Sequence, residues 1–256
     1  MIPQPFVKGA GERVFFGPYE YPPDADIVFD FGNPLCTSAF GSNIVYNVGS
    51  ANITGSLIPY NNPGPIYPTL NTAAGGVMVT RAFGGGAENQ SNFLQWDWKS
   101  TAEQTNVFIF ALNGTQLNPW SSFLPQEAGA SSIRANVYGN TVVTASASLD
   151  VRFRNSSNQA NDIFSTTLNV GLSNARNGYN MVGITANAST SHNLYINPSL
   201  VASDSTSIPR TTSGTQTTKF GVSSNMRIMA FLQYPKVLRA KDFRQIYKVF
   251  SRRFFL

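Results

Sequence analysis

Paired acidic side chains would be the first sign of a glycosidase, because such an enzyme uses two carboxyl groups that flank the bond it breaks. The nearest candidates in this chain are Asp26 with Asp30 and Asp97 with Glu103. Each pair stands alone, without the run of alternating acids that would place several carboxylates on one strand face. We therefore predict no glycosidase site and no catalytic carboxylates.

Histidine and cysteine, which often act as catalytic bases, nucleophiles or metal ligands, each occur once in the chain. His192 lies shortly before the sequence LYI in a predicted hairpin, where we expect a polar turn residue. Cys36 cannot form an intrachain disulfide, and it is typical of a small buried apolar residue. The sequence therefore predicts that the protein is not an enzyme and that these two residues form no metal site.

Oxygen ligands for a hard cation come closest together at Glu88, Asn89 and Asp97. Calcium is bound by clustered carboxylate and carbonyl oxygens, so a calcium site is possible at these residues. The main expectation is that the protein has no cofactor and no metal, because the three residues form only a sparse cluster.

Three tryptophans, Trp96, Trp98 and Trp120, could stack on the sugar rings of a glycan. Trp96 and Trp98 alternate along the sequence FLQWDW, so in a strand their side chains share one face. If that face is exposed, it is a glycan-contact surface. If it is buried, the two rings belong to the core, which is the more usual place for paired large aromatic residues.

The net charge of +5 is concentrated at one end of the chain. From Lys236 onward there are seven lysines and arginines and one acid, Asp242, so the rest of the chain is nearly neutral. Such a basic segment can be a solvated face, a docking surface for an acidic neighbour, or a contact with nucleic acid or membrane. Nucleic acid is the less expected partner, because the body of the chain carries no basic excess.

The basic segment also predicts one amphipathic helix at about residues 239–254. At about 100° per residue its apolar side chains fall within one arc, and its basic side chains fall on the opposite side. The apolar residues are Phe243, Ile246, Tyr247, Phe250 and Phe254, and the basic residues are Lys241, Arg244, Lys248 and Arg252. A helix this short is not stable alone in water, so its apolar stripe must pack on the rest of the chain.

The body of the chain, residues 26–256, reads as one domain. Short apolar runs are separated by Gly, Pro, Asn and Ser, which is typical of a loop-rich all-β protein. The run at 105–114 is almost continuously apolar and predicts a strand that is buried on both faces. Ten or more short strands and one closing helix favour a two-sheet antiparallel β-sandwich.

Residues 1–25 predict an extended arm, because five prolines exclude a long helix or a central strand. The aromatic residues of the arm are expected to lie on a surface, either of this chain or of a neighbour. These possible docking residues are Phe6, Phe15, Phe16, Tyr19 and Tyr21. The sequence shows no apolar run long enough for a signal peptide or a membrane span, so we expect assembly inside a cell.

Several motifs, in their order along the chain, resemble the laminin-G-like, concanavalin-A-like jelly-roll family. They are GGVMVTRAFGGG, then LYIN at 194–197, RIMAFLQYPKVL at 227–238 and DFRQIY at 242–247. The resemblance implies a jelly-roll sandwich with a short closing helix. Two features depart from the family: Pro198 follows LYIN where the family prefers Gly, and the helix opens with Arg239 and Asp242 where the family usually has Ser and Glu.

The resemblance does not imply one function, because this fold serves lectins, glycosidases, adhesion modules and virion proteins. A neutral sandwich with an aromatic arm and a basic end favours a non-enzymatic structural or attachment protein of a phage or virus particle. Its expected partners are other virion proteins, as a homo-oligomer or docked to capsid or tail subunits, with a host-surface glycan as a further candidate partner. Its expected location is the virion, assembled in the host cytoplasm. The alternative is a free-standing lectin or adhesin domain.

Overall fold

The structure is a computed structural model of the chain. It describes residues 21–37, 43–61, 65–70, 76–79, 92–99, 101–112, 116–122, 133–139, 146–154, 160–169, 179–187, 191–205, 215–222 and 226–254.

These residues form β-strands and a single α-helix at the C-terminal end of the described chain. The strands are β1 (Ile27–Asp30), β2 (Ile44–Tyr46), β3 (Thr54–Ile58), β4 (Tyr60–Asn61), β5 (Pro65–Ile66), β6 (Thr69–Leu70), β7 (Val77–Val79), β8 (Phe93–Lys99), β9 (Glu103–Leu112), β10 (Gln116–Ser122), β11 (Ile133–Gly139), β12 (Ser146–Arg154), β13 (Ala160–Asn169), β14 (Tyr179–Asn187), β15 (Ser191–Ile196), β16 (Ser199–Asp204), β17 (Thr215–Phe220) and β18 (Met226–Tyr234). The helix is α1 (Ala240–Phe254), and it is too short to cross a membrane.

The largest sheet has eight antiparallel strands and forms one layer of the molecule. Its order is β16-β15-β14-β9-β18-β7-β6, and β1 also pairs with β18. In the middle of the sheet Phe108 of β9 lies opposite Val182 of β14 and Phe231 of β18. Every residue from Gln104 to Ala111 is buried, which confirms that this apolar run is a central strand covered on both faces.

Two four-stranded sheets contribute the second layer, in the orders β17-β8-β3-β2 and β10-β11-β12-β13, and β4 pairs with β5 in a small hairpin. The core between the layers contains Trp96 of β8, whose ring centroid lies 4.6 Å from that of Phe231. Leu149 and Val151 of β12 belong to the same buried cluster. The predicted antiparallel β-sandwich with one C-terminal helix is confirmed.

The LYIN segment forms the predicted hairpin, with β15 and β16 joined through Asn197 and Pro198. Asn197 takes a left-handed conformation, with φ at 44°, which asparagine tolerates better than most residues other than glycine. Its side-chain oxygen accepts the backbone N–H of Met181 at 2.7 Å, and its own N–H donates to the carbonyl of Met181 at 3.1 Å. Asn197 therefore supplies the left-handed residue of the turn and also anchors the hairpin to β14.

The helix begins at Ala240 with one half of a capping box. The carboxylate of Asp242 accepts the backbone N–H of Arg239 at 3.0 Å, as the third residue of a helix does in that motif. Arg239 cannot supply the other half, because it has no acceptor oxygen in its side chain. Arg252 and Arg253 lie in the last turn, where a positive charge is favourable near the helix C-terminus.

The apolar stripe of the helix packs on the outer face of the eight-stranded sheet, as predicted. Phe243, Ile246 and Phe250 are buried in a cluster with residues of β9, β14, β15 and β18. The ring of Phe243 stacks on Tyr195 with centroids 4.0 Å apart. Gly183 makes room for Phe243, since a Cβ at this position would lie 2.1 Å from a ring carbon of Phe243.

A buried ion pair fixes the end of the helix to β1. The guanidinium of Arg253 donates to both carboxylate oxygens of Asp30, at 2.7 Å and 2.6 Å. The same carboxylate accepts the hydroxyl of Tyr21 and the backbone N–H of Gly32. A Cβ on Gly32 would lie 1.8 Å from a nitrogen of Arg253, so the pair needs glycine there. The ring of Tyr21 also stacks on Phe250, with centroids 5.8 Å apart.

We expect Phe250→Ala to lower the free energy of unfolding by about 3–5 kcal/mol, because truncation leaves a cavity between helix and sheet. Lys248→Ala, on the exposed side of the same helix, should change it by about 0.5 kcal/mol or less. Urea unfolding followed by circular dichroism measures both values. Equal losses in the two variants would contradict the assignment of the stripe as the contact that holds the helix.

We expect Asp30→Asn and Arg253→Gln each to cost about 3–5 kcal/mol, because each leaves one buried charge without its counter-charge. The double variant should cost less than the sum of the two losses, with a coupling energy of about 0.5–3 kcal/mol. A double-mutant cycle in urea measures this coupling. Additive losses would mean that the two groups do not depend on each other.

Candidate functional site

The outer face of the sheet β17-β8-β3-β2 carries a mixed polar and aromatic surface. On each of these strands the residues alternate between the core and this face. We define the outer face by the side chains that point away from the core. They are Ile44 and Tyr46 of β2, Thr54, Ser56 and Ile58 of β3, Phe93, Gln95 and Asp97 of β8, and Thr217 and Lys219 of β17.

The register of the strands places these side chains in rows across the sheet. One row runs from Ile44 through Ser56 and Gln95 to Lys219. In the adjacent row Tyr46 lies opposite Thr54, and Asp97 lies opposite Thr217. Neighbouring strands are about 4.8 Å apart, so each row spans about 15 Å.

The side chains of the outer face differ in what they offer to a ligand. Tyr46 is 45% exposed and presents an aromatic ring at the β2 side of the sheet. Asp97 is exposed and accepts the hydroxyl of Thr217 at 2.8 Å, which holds its carboxylate in one orientation. The ammonium of Lys219 lies 5.6 Å from the ring centroid of Phe93. Donors, acceptors and one exposed aromatic ring are therefore present on the same face of the sheet.

The possible glycan contact through Trp96 and Trp98 is corrected by the structure. Both side chains point between the layers and are buried, with 2% and 7% of their surface exposed. They lie in the core because the alternate residues of β8, Gln95 and Asp97, are polar and face solvent. Trp120 lies in β10, and its side chain is outside the described part of the structure, so a glycan contact there stays a prediction.

The basic side chains of the helix lie on the side opposite its apolar stripe, as the sequence predicts. Lys241, Arg244, Lys248 and Arg252 are all exposed, on the side of the helix away from the sheet. Their docking role stays a prediction. We refer to these four residues as the basic stripe.

Of the arm's aromatic residues, only Tyr21 lies among the described residues, and it contacts this chain's own helix and Asp30. A second contact of the arm is the ion pair between the carboxylate of Asp24 and the ammonium of Lys236, at 2.9 Å. The end of the predicted arm therefore rests on its own sandwich. Phe6, Phe15, Phe16 and Tyr19 lie outside the described residues, and their docking role stays a prediction.

The two residues that could have served catalysis are both buried. His192 is in β15 and fully buried, so the prediction of a polar turn residue was wrong. Its register partner Ala186 faces the core, and His192 occupies the same inner side of the sheet. Cys36 is a buried apolar residue as predicted, and burial raises the pKa of its thiol to about 12, which keeps it in the unreactive protonated form.

Within the described residues, no group of three or more His, Cys, Asp and Glu is close enough to hold a metal ion. Asp97 lies on the outer face, whereas Glu88 and Asn89 lie outside the described residues. The expectation of no metal or cofactor, and the alternative of calcium at these three residues, therefore both stay predictions.

Sequence reasoning missed Tyr46, Gln95 and Asp97 as members of one surface. The alternation in FLQWDW shows that Gln95 and Asp97 share a face opposite the tryptophans. This polar pair was the available signal. Tyr46 could not be added from the sequence, because it reaches the same face through the pairing of β2 with β3 and of β3 with β8.

Comparison with solved structures finds a similar fold in the binding domains of botulinum neurotoxins. The binding domain of serotype D matches with a TM-score of 0.59 and 14% identity, over 88% of this chain and 51% of that chain. The same values hold for the binding domain of neurotoxin DC in complex with SialylT and for that domain in complex with rat synaptotagmin II. This chain thus spans about half the length of these structures.

No protein-family model and no curated protein matches the sequence. The similar structures are toxin domains, so they give no support to the predicted phage or virus origin. At 14% identity the likeness concerns the fold alone. The chain is therefore an antiparallel β-sandwich similar in fold to these toxin binding domains.

Proposed function

We propose that this protein is a non-catalytic attachment domain that binds a host-surface glycan through the outer face of the four-stranded sheet. The observation that carries the proposal is the exposed ring of Tyr46 on the same face as hydroxyl, amide and carboxylate side chains, which lie in its own row and in the adjacent one. A sugar presents apolar C–H groups to an aromatic ring and hydroxyls to polar groups, so both parts of this surface have a counterpart on a glycan.

The similar structures add support of a second kind. One toxin domain was solved in complex with SialylT, and cell entry of neurotoxin type C depends on interaction with two ganglioside molecules. The shared fold makes recognition of a cell-surface receptor a reasonable function for this chain. It does not indicate the residues, and we assign these from the chemistry of the outer face.

The absence of a second carboxylate on this face favours binding over hydrolysis. Among the described residues of β2, β3, β8 and β17, Asp97 is the one acid. A glycosidase needs two carboxyl groups, about 5 Å apart in retaining enzymes and about 6.5–9.5 Å apart in inverting ones. The outer face can therefore hold a glycan without a pair of groups to cleave it.

We further propose that the attachment domain works as part of a phage or virus particle, as a capsid-associated, fibre or tail component assembled in the host cytoplasm. The exposed basic stripe supports this role, because its charges are not needed to hold the helix on the sheet. An acidic face of a neighbouring subunit is the partner that this surface would fit. A free-standing lectin or adhesin would use the outer face in the same way but would have no partner for the basic stripe.

We expect Tyr46→Ala to weaken glycan binding at least about tenfold, or about 1.4 kcal/mol, because it removes the exposed ring. Gln95→Ala should weaken it as well, by removing the amide in the adjacent row. A glycan array with the full chain identifies the ligand, and calorimetry compares the variants.

Ile44→Ala is the matched control, since Ile44 is on the same strand and face and is equally exposed but offers no ring. It should leave the affinity nearly unchanged. A glycan that binds equally to the wild type, Tyr46→Ala and Gln95→Ala would place the site elsewhere and refute the proposed surface.

Changing Lys241, Arg244, Lys248 and Arg252 together to Gln should leave the melting temperature of the chain nearly unchanged, because these side chains are exposed. The same variant should lose association with acidic partner subunits, and the wild-type association should weaken as salt rises. Thermal unfolding and sedimentation at two salt concentrations test both points. A large fall in melting temperature would show that the charges support the fold, and the docking role would be withdrawn.

A further inference from the structure

One row of the outer face presents an aromatic ring, two hydroxyls and a carboxylate. Tyr46 of β2 pairs with Thr54 of β3, and Asp97 of β8 pairs with Thr217 of β17. The register of β3 against β8 extends the row from Thr54 to Asp97. Tyr46, Thr54 and Asp97 are exposed, and Thr217 is half-buried. A ligand on the outer face can therefore contact all four strands along this row.

Asp97 is an oriented acceptor in this row. Its Oδ1 accepts the hydroxyl of Thr217 at 2.8 Å, which restricts rotation of the carboxylate. An ionised carboxylate donates no hydrogen and has about four acceptor positions, so both oxygens can still accept a hydrogen bond. Hydrogen bonds from hydroxyls to a carboxylate are shorter and stronger than those to a neutral oxygen. Asp97 is thus suited to accept two adjacent hydroxyls of one sugar.

Tyr46 and Asp97 are too far apart to contact the same sugar ring. They lie on strands separated by β3, so their Cα atoms are about 10 Å apart. A six-membered sugar ring with its hydroxyls is about 6 Å across, given single bonds of about 1.5 Å. A ligand that stacks on Tyr46 and donates to Asp97 therefore has at least two sugar residues, and Thr54 lies between the two contacts.

The charge near Asp97 disfavours an acidic sugar. Lys219, a cation of the outer face, belongs to the adjacent row opposite Gln95, and its ammonium lies 5.6 Å from the ring centroid of Phe93. Phe93 and Asp97 are on opposite sides of Gln95 along β8, so the ammonium extends away from Asp97. A ligand carboxylate or sulfate at Asp97 would meet a like charge, whereas a hydroxyl would meet an acceptor.

We propose that the outer face recognises a neutral oligosaccharide, with one sugar residue stacked on Tyr46 and the next donating two adjacent hydroxyls to Asp97. This inference rests on the proposed glycan binding and adds the class of glycan that the surface selects. Asp97 is the specificity-determining residue. Thr217 is a positioning residue, because it acts through the orientation of the carboxylate.

The test uses the full chain on a glycan array that holds single sugars, neutral chains of increasing length, and the same chains with a terminal sialic or uronic acid. Calorimetry then measures the affinities of the retained chains and of their component single sugars. We expect neutral chains to bind at least about tenfold more tightly than the single sugars, because they make both contacts. Single sugars that bind as tightly as the chains, or acidic chains that bind more tightly than neutral ones, would overturn the proposal.

Asp97→Asn keeps the size of the side chain and removes its charge. It should weaken the binding of neutral chains about tenfold, because the charge-assisted hydrogen bonds are lost. It should also reduce the discrimination against acidic chains about fivefold, because the like charge is gone. Thr217→Val should weaken neutral chains less and keep the discrimination, a split that general damage to the surface would not produce. Glu103→Gln, which removes an exposed carboxylate from β9, is the matched control and should change neither value.

The variants separate this inference from the proposed function. If Tyr46→Ala weakens binding and Asp97→Asn does not, the outer face still binds a glycan, but the role of Asp97 is wrong. If Asp97→Asn weakens binding and Tyr46→Ala does not, the contact at two points is wrong. If neither variant changes binding, or if the array retains no glycan, both the inference and the proposed surface are rejected.

Discussion

The middle strands of the eight-stranded sheet are buried on both faces, and the rest of the structure follows from the need to cover this sheet on both sides. In β18 every residue from Met226 to Tyr234 is buried, which a sheet with one face in water cannot show. The four-stranded sheets cover the inner face, and the C-terminal helix covers the outer face with Phe243, Ile246 and Phe250. Each large apolar side chain contributes about 1.5–3 kcal/mol when it leaves water. A domain whose net stability is about 5–15 kcal/mol therefore needs both the four-stranded sheets and the helix to remain folded.

The two ends of the described chain meet on one carboxylate. Tyr21 and Arg253 both donate to Asp30, and Tyr21 also stacks on Phe250 beside it. A carboxylate inside the protein requires such partners, because an unpaired buried charge costs several kcal/mol. The helix is consequently held by apolar packing along its length and by a directional ion pair at its end. The basic stripe takes no part in either contact, which leaves it available to a partner.

The side chains that β8 exposes in the candidate site are determined by those that it buries against the eight-stranded sheet. Trp96 and Trp98 lie in the core because their rings bury a large apolar area, and the Trp96 ring packs against Phe29 and Phe231. The strand's period of two then places Gln95 on the outer face, which it shares with Tyr46 of β2, two strands away. In β8 the glycan surface that we propose is therefore formed by Gln95 and Asp97, the residues that alternate with the two tryptophans.

Local pattern in the sequence was sufficient for the elements of this protein. The period of 3.6 in residues 239–254 determined the helix, its apolar stripe and its exposed basic residues, because a helix repeats its faces within a few residues. The continuous apolar run around Phe108 likewise determined a central strand. Only the tertiary structure decided which face of β8 is buried, that His192 lies in the core, and that Tyr21 and Arg253 share Asp30. Alternation is symmetric between the two faces of a strand, and residues more than two hundred positions apart meet only through strand pairing and packing, so no local pattern carries that information.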